Sequence, residues 1–245
     1  MAQRIKSDEV FMAYDIFSEF YDELMYDADY DKMAEYSDSV FKANGAEKGI
    51  LLDLGCGTGN MSLRMNNIGY DVIGVDISTG MLSRALSKSA GRNILYLNQD
   101  MEKLDLYGTV DCCICYLDSL NHLNSIGGVK KAIENVALFM NPGGIFIFDV
   151  NTVYKHRNIL ADNTFVKESE NTFCVWQNSL NADDSVNVTL DSRYCEDFTE
   201  RAYPQDDIEI ICKNCGFETI GIYDGYSFEK IKENTQRAVF VMKRG

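Results

Sequence analysis

Residues 51–60, LLDLGCGTGN, are the stretch that most restricts how this chain folds. An apolar run ends in three glycines at alternate positions, Gly55, Gly57 and Gly59, and the helical pattern NMSLRMNNI follows at once. A strand, a glycine loop and a helix in this order are typical of a backbone cradle for a cofactor at a helix N-terminus. Asp53 adds a carboxylate to the apolar strand, so it is a candidate for binding that cofactor. The alternative is an ordinary hydrogen-bonding or capping carboxylate.

From residue 50 onward, short β-rich runs alternate with segments of helical length and spacing. In GGVKKAIENVALFM, for example, Val129, Ile133 and Val136 fall on one face of a helix. Apolar strands joined by helices indicate a mostly parallel sheet covered on both faces, that is, a doubly wound Rossmann-like α/β fold. Ligands of such sheets bind beyond the carboxyl ends of the strands. The predicted strands are ILLDL (50–54), DVIGVD (71–76), ILYLNQD (94–100), VDCCICYL (110–117) and GIFIFDV (144–150).

Two regions depart from this alternation. Residues 1–45 are rich in aromatic and acidic residues and lack a strand pattern, so we predict helices that pack before the sheet. TFCVWQNSL and SVNVTLDSRY, within residues 163–195, alternate with a period of two, as half-exposed antiparallel strands do. We therefore predict four parts: an N-terminal helical segment (1–45), a cofactor-binding core (46–150), a small antiparallel β insertion after the fifth strand (151–203), and a C-terminal helix and strands completing the core sheet (204–245).

Composition and charge argue against several classes of protein. Hydrophobic residues make up 46% and charged residues 25% of the 245, as in soluble globular proteins. The net charge of −15 opposes nucleic-acid binding, because such a surface repels phosphates. No apolar run is long enough for a membrane span, and the charged sequence MAQRIKSDEVFMAYDIF does not suit a signal peptide. We therefore expect a cytoplasmic protein without nucleic-acid or membrane partners, whose oligomeric state the sequence leaves open.

The eight cysteines do not follow a metal or disulfide pattern. Three of them lie in the apolar run 110–117, where thiols act as small hydrophobic side chains. Cys212 and Cys215 form a CxxC, but they share an apolar helical stripe with Ile208, and no second CxxC or nearby histidine completes four ligands. We therefore expect reduced cysteines and no metal site.

Three nucleotide cofactors compete for the glycine loop. A triphosphate site needs Gly-Lys-Ser/Thr, and this loop has no lysine. A dinucleotide fingerprint needs glycine or alanine where Asn60 stands, and Asp53 would repel a pyrophosphate, which disfavours a nicotinamide-dependent oxidoreductase. A cofactor with a positive ammonium and sulfonium would instead be stabilised by Asp53. Asp76, which ends the second strand, suits two ribose hydroxyls. The residues thus indicate S-adenosylmethionine.

The motifs LDLGCGTGN, VIGVDIS, LNQDM and CYLDSLNHL, in this order, resemble those of class I S-adenosylmethionine-dependent methyltransferases, over residues 14–150. The chain looks most similar to the small-molecule enzymes of that family, including the sugar N,N-dimethyltransferases. This resemblance implies transfer of a methyl group to a nitrogen or oxygen, less often a carbon, of a small-molecule acceptor. A non-catalytic module that binds S-adenosylmethionine is the alternative.

The resemblance also implies which residues contact the cofactor. Gly55, Cys56 and Gly57 would line its methionyl part, with Asn60 in the same loop. The other expected contacts are Asp76 at the ribose, Ile77 and Met81 beside the adenine, Asp100 at its amine, Met101 on its ring, and Leu117 and Asp118 near the sulfonium and the acceptor.

The expected catalytic residues are His122 and Tyr14. His122 follows the fourth strand in DSLNHLNS, where a histidine takes a proton from an acceptor or serves only as a structural donor. The segment YDIFSEFYDELM is similar to the lid of the family, where Tyr14 or Tyr21 would reach the methionyl carboxylate or the active site; either tyrosine could equally be a core aromatic. The β insertion would supply walls for the acceptor, and the transfer would depend chiefly on positioning.

Overall fold

The computed structural model describes residues 17–170, 172–192 and 195–245, without the side chain of Cys195. Its strands, in chain order, are β1 (Ile50–Leu54), β2 (Asp71–Asp76), β3 (Ile94–Asn98), β4 (Val110–Cys115), β5 (Met140–Asn151), β6 (Thr164–Glu168), β7 (Phe173–Leu180), β8 (Ser185–Asp191), β9 (Cys195–Arg201), β10 (Phe217–Asp224) and β11 (Arg237–Arg244). A seven-stranded sheet has the order β10-β11-β5-β4-β1-β2-β3, and β6 to β9 form a separate four-stranded sheet. In the large sheet β11 runs antiparallel to its neighbours, and β1 to β5 run parallel.

Seven α-helices lie within the described residues, two of them before β1. They are α1 (Tyr21–Leu24), α2 (Tyr30–Ala43), α3 (Asn60–Ile68), α4 (Thr79–Lys88), α5 (Ile126–Phe139), α6 (Val153–Lys155) and α7 (Gln205–Asn214). Side-chain oxygens cap α2, α4 and α5: those of Asp29, Ser78 and Ser125 accept from backbone N–H groups of the first turn. None of the helices in the described ranges is long and apolar enough to cross a membrane.

Both faces of the large sheet are buried. On one face α2 and α3 pack Phe41 and Met65 against strand residues that include Leu51. On the other, α5 and α7 lie over a second cluster with Ile133 and Phe146. Burial on both faces explains why these strands read as continuous apolar runs. The predicted doubly wound, mostly parallel sheet is confirmed.

The small sheet has two more strands than the sequence pattern predicted. The two alternating runs are β7 and β8, and β6 and β9 flank them in antiparallel pairing. On β9, residues Glu196, Phe198 and Glu200 lie opposite Leu190, Val188 and Val186 of β8, whose side chains are buried. Carboxylates therefore occupy inward positions of β9. Because these positions are not apolar, the sequence lacks the alternation by which a half-buried strand is predicted. A π-helical turn at His156–Leu160 also precedes the small sheet, where no helix was expected.

Asn121 joins the small sheet to the large one. It lies fully buried in the 3₁₀ turn Ser119–His122 after β4. Its side-chain amide donates to the carbonyl oxygens of Asn151, at 3.1 Å, and Arg201, at 2.7 Å. Its side-chain oxygen accepts from the backbone N–H of Asn151 at 3.0 Å. One side chain thus fixes the ends of β5 and β9 to the turn that follows β4.

We predict that Asn121→Ala lowers the free energy of unfolding by about 2–4 kcal/mol, because it leaves buried backbone groups without partners. Chemical denaturation would measure this loss. The exposed Asn67 on α3 offers a matched control, for which the change should stay within about 0.5 kcal/mol. Equal stability of the two variants would show that Asn121 does not join the sheets.

Candidate active site

A cavity of about 520 Å³ opens at the carboxyl ends of the parallel strands. Its walls come from the glycine loop, the ends of β2, β3 and β4, the N-terminal helices and β9. This is the position expected for ligands of such a sheet. The sequence-predicted residues that line it are Tyr21, Asp53, Gly55, Cys56, Gly57, Asn60, Asp76, Ile77, Met81, Asp100, Met101, Leu117 and His122.

All three glycines of the loop have positive φ angles, of 73°, 52° and 77°, but only the first and third are also required for steric reasons. A Cβ on Gly55 would lie 2.6 Å from Oγ of Ser119, and one on Gly59 would lie 2.5 Å from the Tyr96 hydroxyl oxygen. A Cβ on Gly57 would meet nothing within 4 Å. The first and third glycines thus allow the protein to pack, while the second, which lines the cavity, leaves space beside the loop.

Two carboxylates flank the glycine loop. Asp53 is only 2% exposed, and the Ser62 hydroxyl donates to it at 2.5 Å. Burial, and to a smaller degree the charge of Asp76, raise the pKa of Asp53 to about 7. Asp76 accepts from the backbone N–H of Gly57 at 2.8 Å and from that of Ser78 at 2.9 Å. Asp76 therefore links the glycine loop to the start of α4.

An aspartate that sequence reasoning missed attaches the N-terminal helices to this loop. The Asp22 carboxylate of α1 accepts from Oγ1 of Thr58 at 2.6 Å, Nδ2 of Asn60 at 2.8 Å and Nζ of Lys88 at 2.6 Å. Burial opposes its ionisation, but these hydrogen bonds, that of Lys88 above all, lower the pKa of Asp22. The amide of Asn60 is thus engaged by Asp22. Tyr21, next to it, forms part of the cavity wall.

After β4 the backbone makes an unusual turn. Leu117 and Asp118 both have a φ of 54°, a left-handed backbone conformation that residues other than glycine seldom adopt. Both backbone N–H groups donate to the carboxylate of Asp149, at 2.9 and 2.7 Å. The Tyr226 hydroxyl and the Arg237 guanidinium also donate to that carboxylate, which is fully buried. Asp149 therefore fixes the turn that leads to His122.

The side chain of Asp118 contacts Arg237 instead of forming part of the cavity wall. An Arg237 nitrogen donates to its carboxylate at 2.6 Å. Burial by itself would raise the pKa of Asp118, but the positive charges of Arg237 and Lys155 lower it to about 2. The structure thus places this carboxylate in a partly buried ion pair with Arg237. The expected cofactor contact of Asp118 stays a prediction.

His122, in the turn after β4, also lines the cavity. Its ring centroid is 5.3 Å from that of Phe198 on β9. Burial lowers the pKa of His122 below its usual value, and the charge of Asp118 opposes this only in part. The imidazole is therefore neutral near pH 7, as a proton acceptor must be. Tyr14, the other expected catalytic residue, lies outside the described residues.

Asp118, His122 and Glu200 each place one polar side-chain atom so that all three atoms lie within 4.8 Å of one another. These residue types can bind a metal ion, but the Arg237 guanidinium already pairs with Asp118, and the Lys155 ammonium also acts on this carboxylate. Two positive charges oppose the binding of a divalent cation. The CxxC lies elsewhere: Cys212 is buried in the core cluster against α5, and Cys215 packs on the same cluster.

Several residues of the site were not found by sequence reasoning. Some had a usable signal: Asp149 and Asp53 lie close to the ends of buried strands, and Asp76 ends one. Others had none, because β9 and β11 come from distant parts of the chain. The additional cavity-lining residues include Tyr30, Gln99, Tyr116, Ser119, Leu123, Asn124, Phe198 and Thr199.

Known proteins share this sequence and fold. A family model described as a methyltransferase domain matches residues 51–144. The putative methyltransferase YqeM of Bacillus subtilis is 33% identical over 242 residues, which cover 94% of this chain and 96% of the relative. A crystal structure of an S-adenosylmethionine-dependent methyltransferase from Clostridium acetobutylicum is 30% identical, has a TM-score of 0.85, and covers 96% of this chain and 100% of that one. The sugar N-methyltransferase KedS8 from a Streptoalloteichus species shares the fold, with a TM-score of 0.76 and 19% identity over 100% of this chain and 97% of that one.

These similarities extend over nearly the whole chain, and the glycine loop that carries the motif lies in the wall of the cavity. The predicted enzyme class and cofactor are thereby confirmed. This chain belongs to the class I S-adenosylmethionine-dependent methyltransferases, and its cofactor is S-adenosylmethionine.

Proposed function

We propose that this enzyme methylates a nitrogen or oxygen of a small-molecule acceptor that binds between His122 and the small sheet. The observation that carries this proposal is the position of Phe198 and Thr199 of β9, which line the cavity together with His122 and the glycine loop. The ring centroid of Phe198 lies 5.3 Å from that of His122. A cavity of about 520 Å³ between two sheets favours a small molecule over a polymer. The sugar N-methyltransferase with the same fold supports the same class of acceptor.

The residues around the glycine loop fit the cofactor. Gly57 leaves open space beside the backbone, and the carboxylates of Asp53, Asp76 and Asp100 give this end a chemistry suited to a cationic ligand with hydroxyl groups. We propose that Asp76 holds the ribose, that Asp53 stabilises the positive charge, and that Met101 packs on the adenine. S-adenosylmethionine supplies a methyl group activated by its sulfonium.

The residues around His122 would position the acceptor. His122, neutral and next to the Asp118 carboxylate, can take the proton that the acceptor atom loses. Phe198 and Leu123 add apolar surface that excludes water. Tyr21, whose pKa is raised by burial, stays a neutral hydroxyl that can orient a polar group.

A panel of amines, hydroxylated metabolites and sugars, assayed for release of S-adenosylhomocysteine, would test this function. We expect turnover with small amines or hydroxyl compounds and none with nucleic acid. A protein that binds the cofactor with full affinity but methylates no acceptor would support the alternative, a non-catalytic binding module.

Asp76→Ala should weaken binding of S-adenosylhomocysteine by about 1.5–3 kcal/mol, the value of hydrogen bonds to a charged group. Isothermal titration calorimetry gives this difference directly. Asp71→Ala, at the exposed opposite end of β2, is the matched control and should bind like the parent. If both variants bind equally well, Asp76 does not hold the ribose.

Binding of S-adenosylmethionine should strengthen between pH 6 and pH 8. Asp53 has a pKa of about 7 in the free protein, so raising the pH ionises the carboxylate that favours a positive ligand. The gain should approach about tenfold, the change in the ionised fraction over this range. The affinity of Asp53→Asn for S-adenosylmethionine should not rise with pH in this way, whereas that of Asp71→Asn should rise as in the parent. The same rise in all three proteins would assign it to the titration of the ligand instead.

A further inference from the structure

Glu200 is a buried carboxyl group that the proposed function leaves without a role. It is 3% exposed and lies on the inner side of β9, opposite Val186 of β8. Its neighbours Phe198 and Thr199 line the cavity. Burying an acidic group among apolar residues is unfavourable, so its surroundings must supply compensating contacts.

The position of Glu200 is fixed by the fold. The backbone carbonyl of the next residue, Arg201, accepts from the Asn121 amide at 2.7 Å, in the same turn as His122. A carboxyl oxygen of Glu200 therefore lies within 4.8 Å of both a ring nitrogen of His122 and a carboxylate oxygen of Asp118. The small sheet and the turn after β4 hold these three groups together.

Charged groups from four elements of the core face this carboxyl group. Burial first, and then the negative charge of Asp118, raise the pKa of Glu200 to about 8, while positive charges oppose the rise. The titratable and charged groups concerned are Asp118 and His122 after β4, Lys155 of α6, and Arg237 of β11, with Asp149 of β5 paired to Arg237 behind them. Near pH 7 Glu200 is thus neutral while Asp118 is charged.

We propose that Glu200 is a positioning residue for methyl transfer, which orients His122 and, once ionised, makes it a stronger proton acceptor. This role rests on the proposed function, because it requires an acceptor that loses a proton. In the transfer, the lone pair of the acceptor atom forms the bond to the methyl carbon. The carbon–sulfur bond breaks with its electron pair left on sulfur, and the acceptor proton goes to a ring nitrogen of His122.

The consequence is a pH-dependent gain in rate. Below about pH 8, only the Asp118 carboxylate stabilises a protonated His122. Above it, a second negative charge within 4.8 Å favours the imidazolium, so the neutral imidazole accepts the proton more readily. A glutamine at this position would resemble the protonated carboxyl group but could not ionise.

The first test does not require an acceptor. The ring proton resonances of His122 would be followed by NMR from pH 5.5 to 9.5 in protein saturated with S-adenosylhomocysteine, with His122→Gln identifying the signal because the chain has only 2 histidines. We expect an inflection near pH 8 in the parent that is absent in Glu200→Gln. Asp197→Asn, an exposed carboxylate on the same strand, should keep it. An inflection that persists in Glu200→Gln, or is missing in the parent, overturns the coupling.

The second test uses the best acceptor from the panel. The ratio of kcat between the parent and Glu200→Gln should be near 1 at pH 6.5 and rise to about three- to tenfold at pH 9, with KM little changed. Asp197→Asn should match the parent at every pH, and His122→Ala should abolish the pH-dependent gain. A loss in Glu200→Gln that is equal at all pH values would mean a structural role only. Lack of turnover with every acceptor would overturn the proposed function and this role together, whereas turnover without the pH-dependent ratio would overturn the role of Glu200 alone.

Discussion

The carboxylate of Asp149 is the group on which the part of the cavity around His122 depends. Two consecutive residues, Leu117 and Asp118, hold a left-handed backbone conformation that costs about 1–3 kcal/mol at each such position. Asp149 accepts hydrogen bonds from both of their N–H groups, and such bonds to a charged group contribute about 1.5–3 kcal/mol each. The two contributions are of similar size, so the buried carboxylate offsets the strain of the turn.

This turn brings together residues that are far apart in the chain. It directs the backbone after β4 so that Leu117 and His122 reach the cavity, while Asp118 turns toward Arg237 of β11. Asn121, in the same turn, holds the last residue of β9. This part of the cavity is therefore assembled on one short segment, which hydrogen bonds hold to both sheets.

The same class of side chain takes different charge states along this cavity. Burial near the glycine loop raises the pKa of Asp53 to about 7, and the charges of Arg237 and Lys155 lower that of Asp118 to about 2. Burial together with the charge of Asp118 raises the pKa of Glu200 to about 8. The three environments therefore give these carboxyl groups different charge states near neutral pH: Asp118 stays ionised in its ion pair, whereas Asp53 and Glu200 change charge as the pH rises.

The sequence by itself determined the large sheet and the loop end of the cavity. Strand periodicity and the glycines act locally, so the pattern around Gly57 and Asp76 was sufficient to predict the parallel sheet and the cofactor. Only the tertiary structure decided the part of the cavity around His122. Strand β9 escaped prediction because inward carboxylates such as Glu200 interrupt its apolar alternation. Arg237 and Asp149 reach the turn after β4 through sheet pairing between β5 and β11, and no local pattern encodes that pairing.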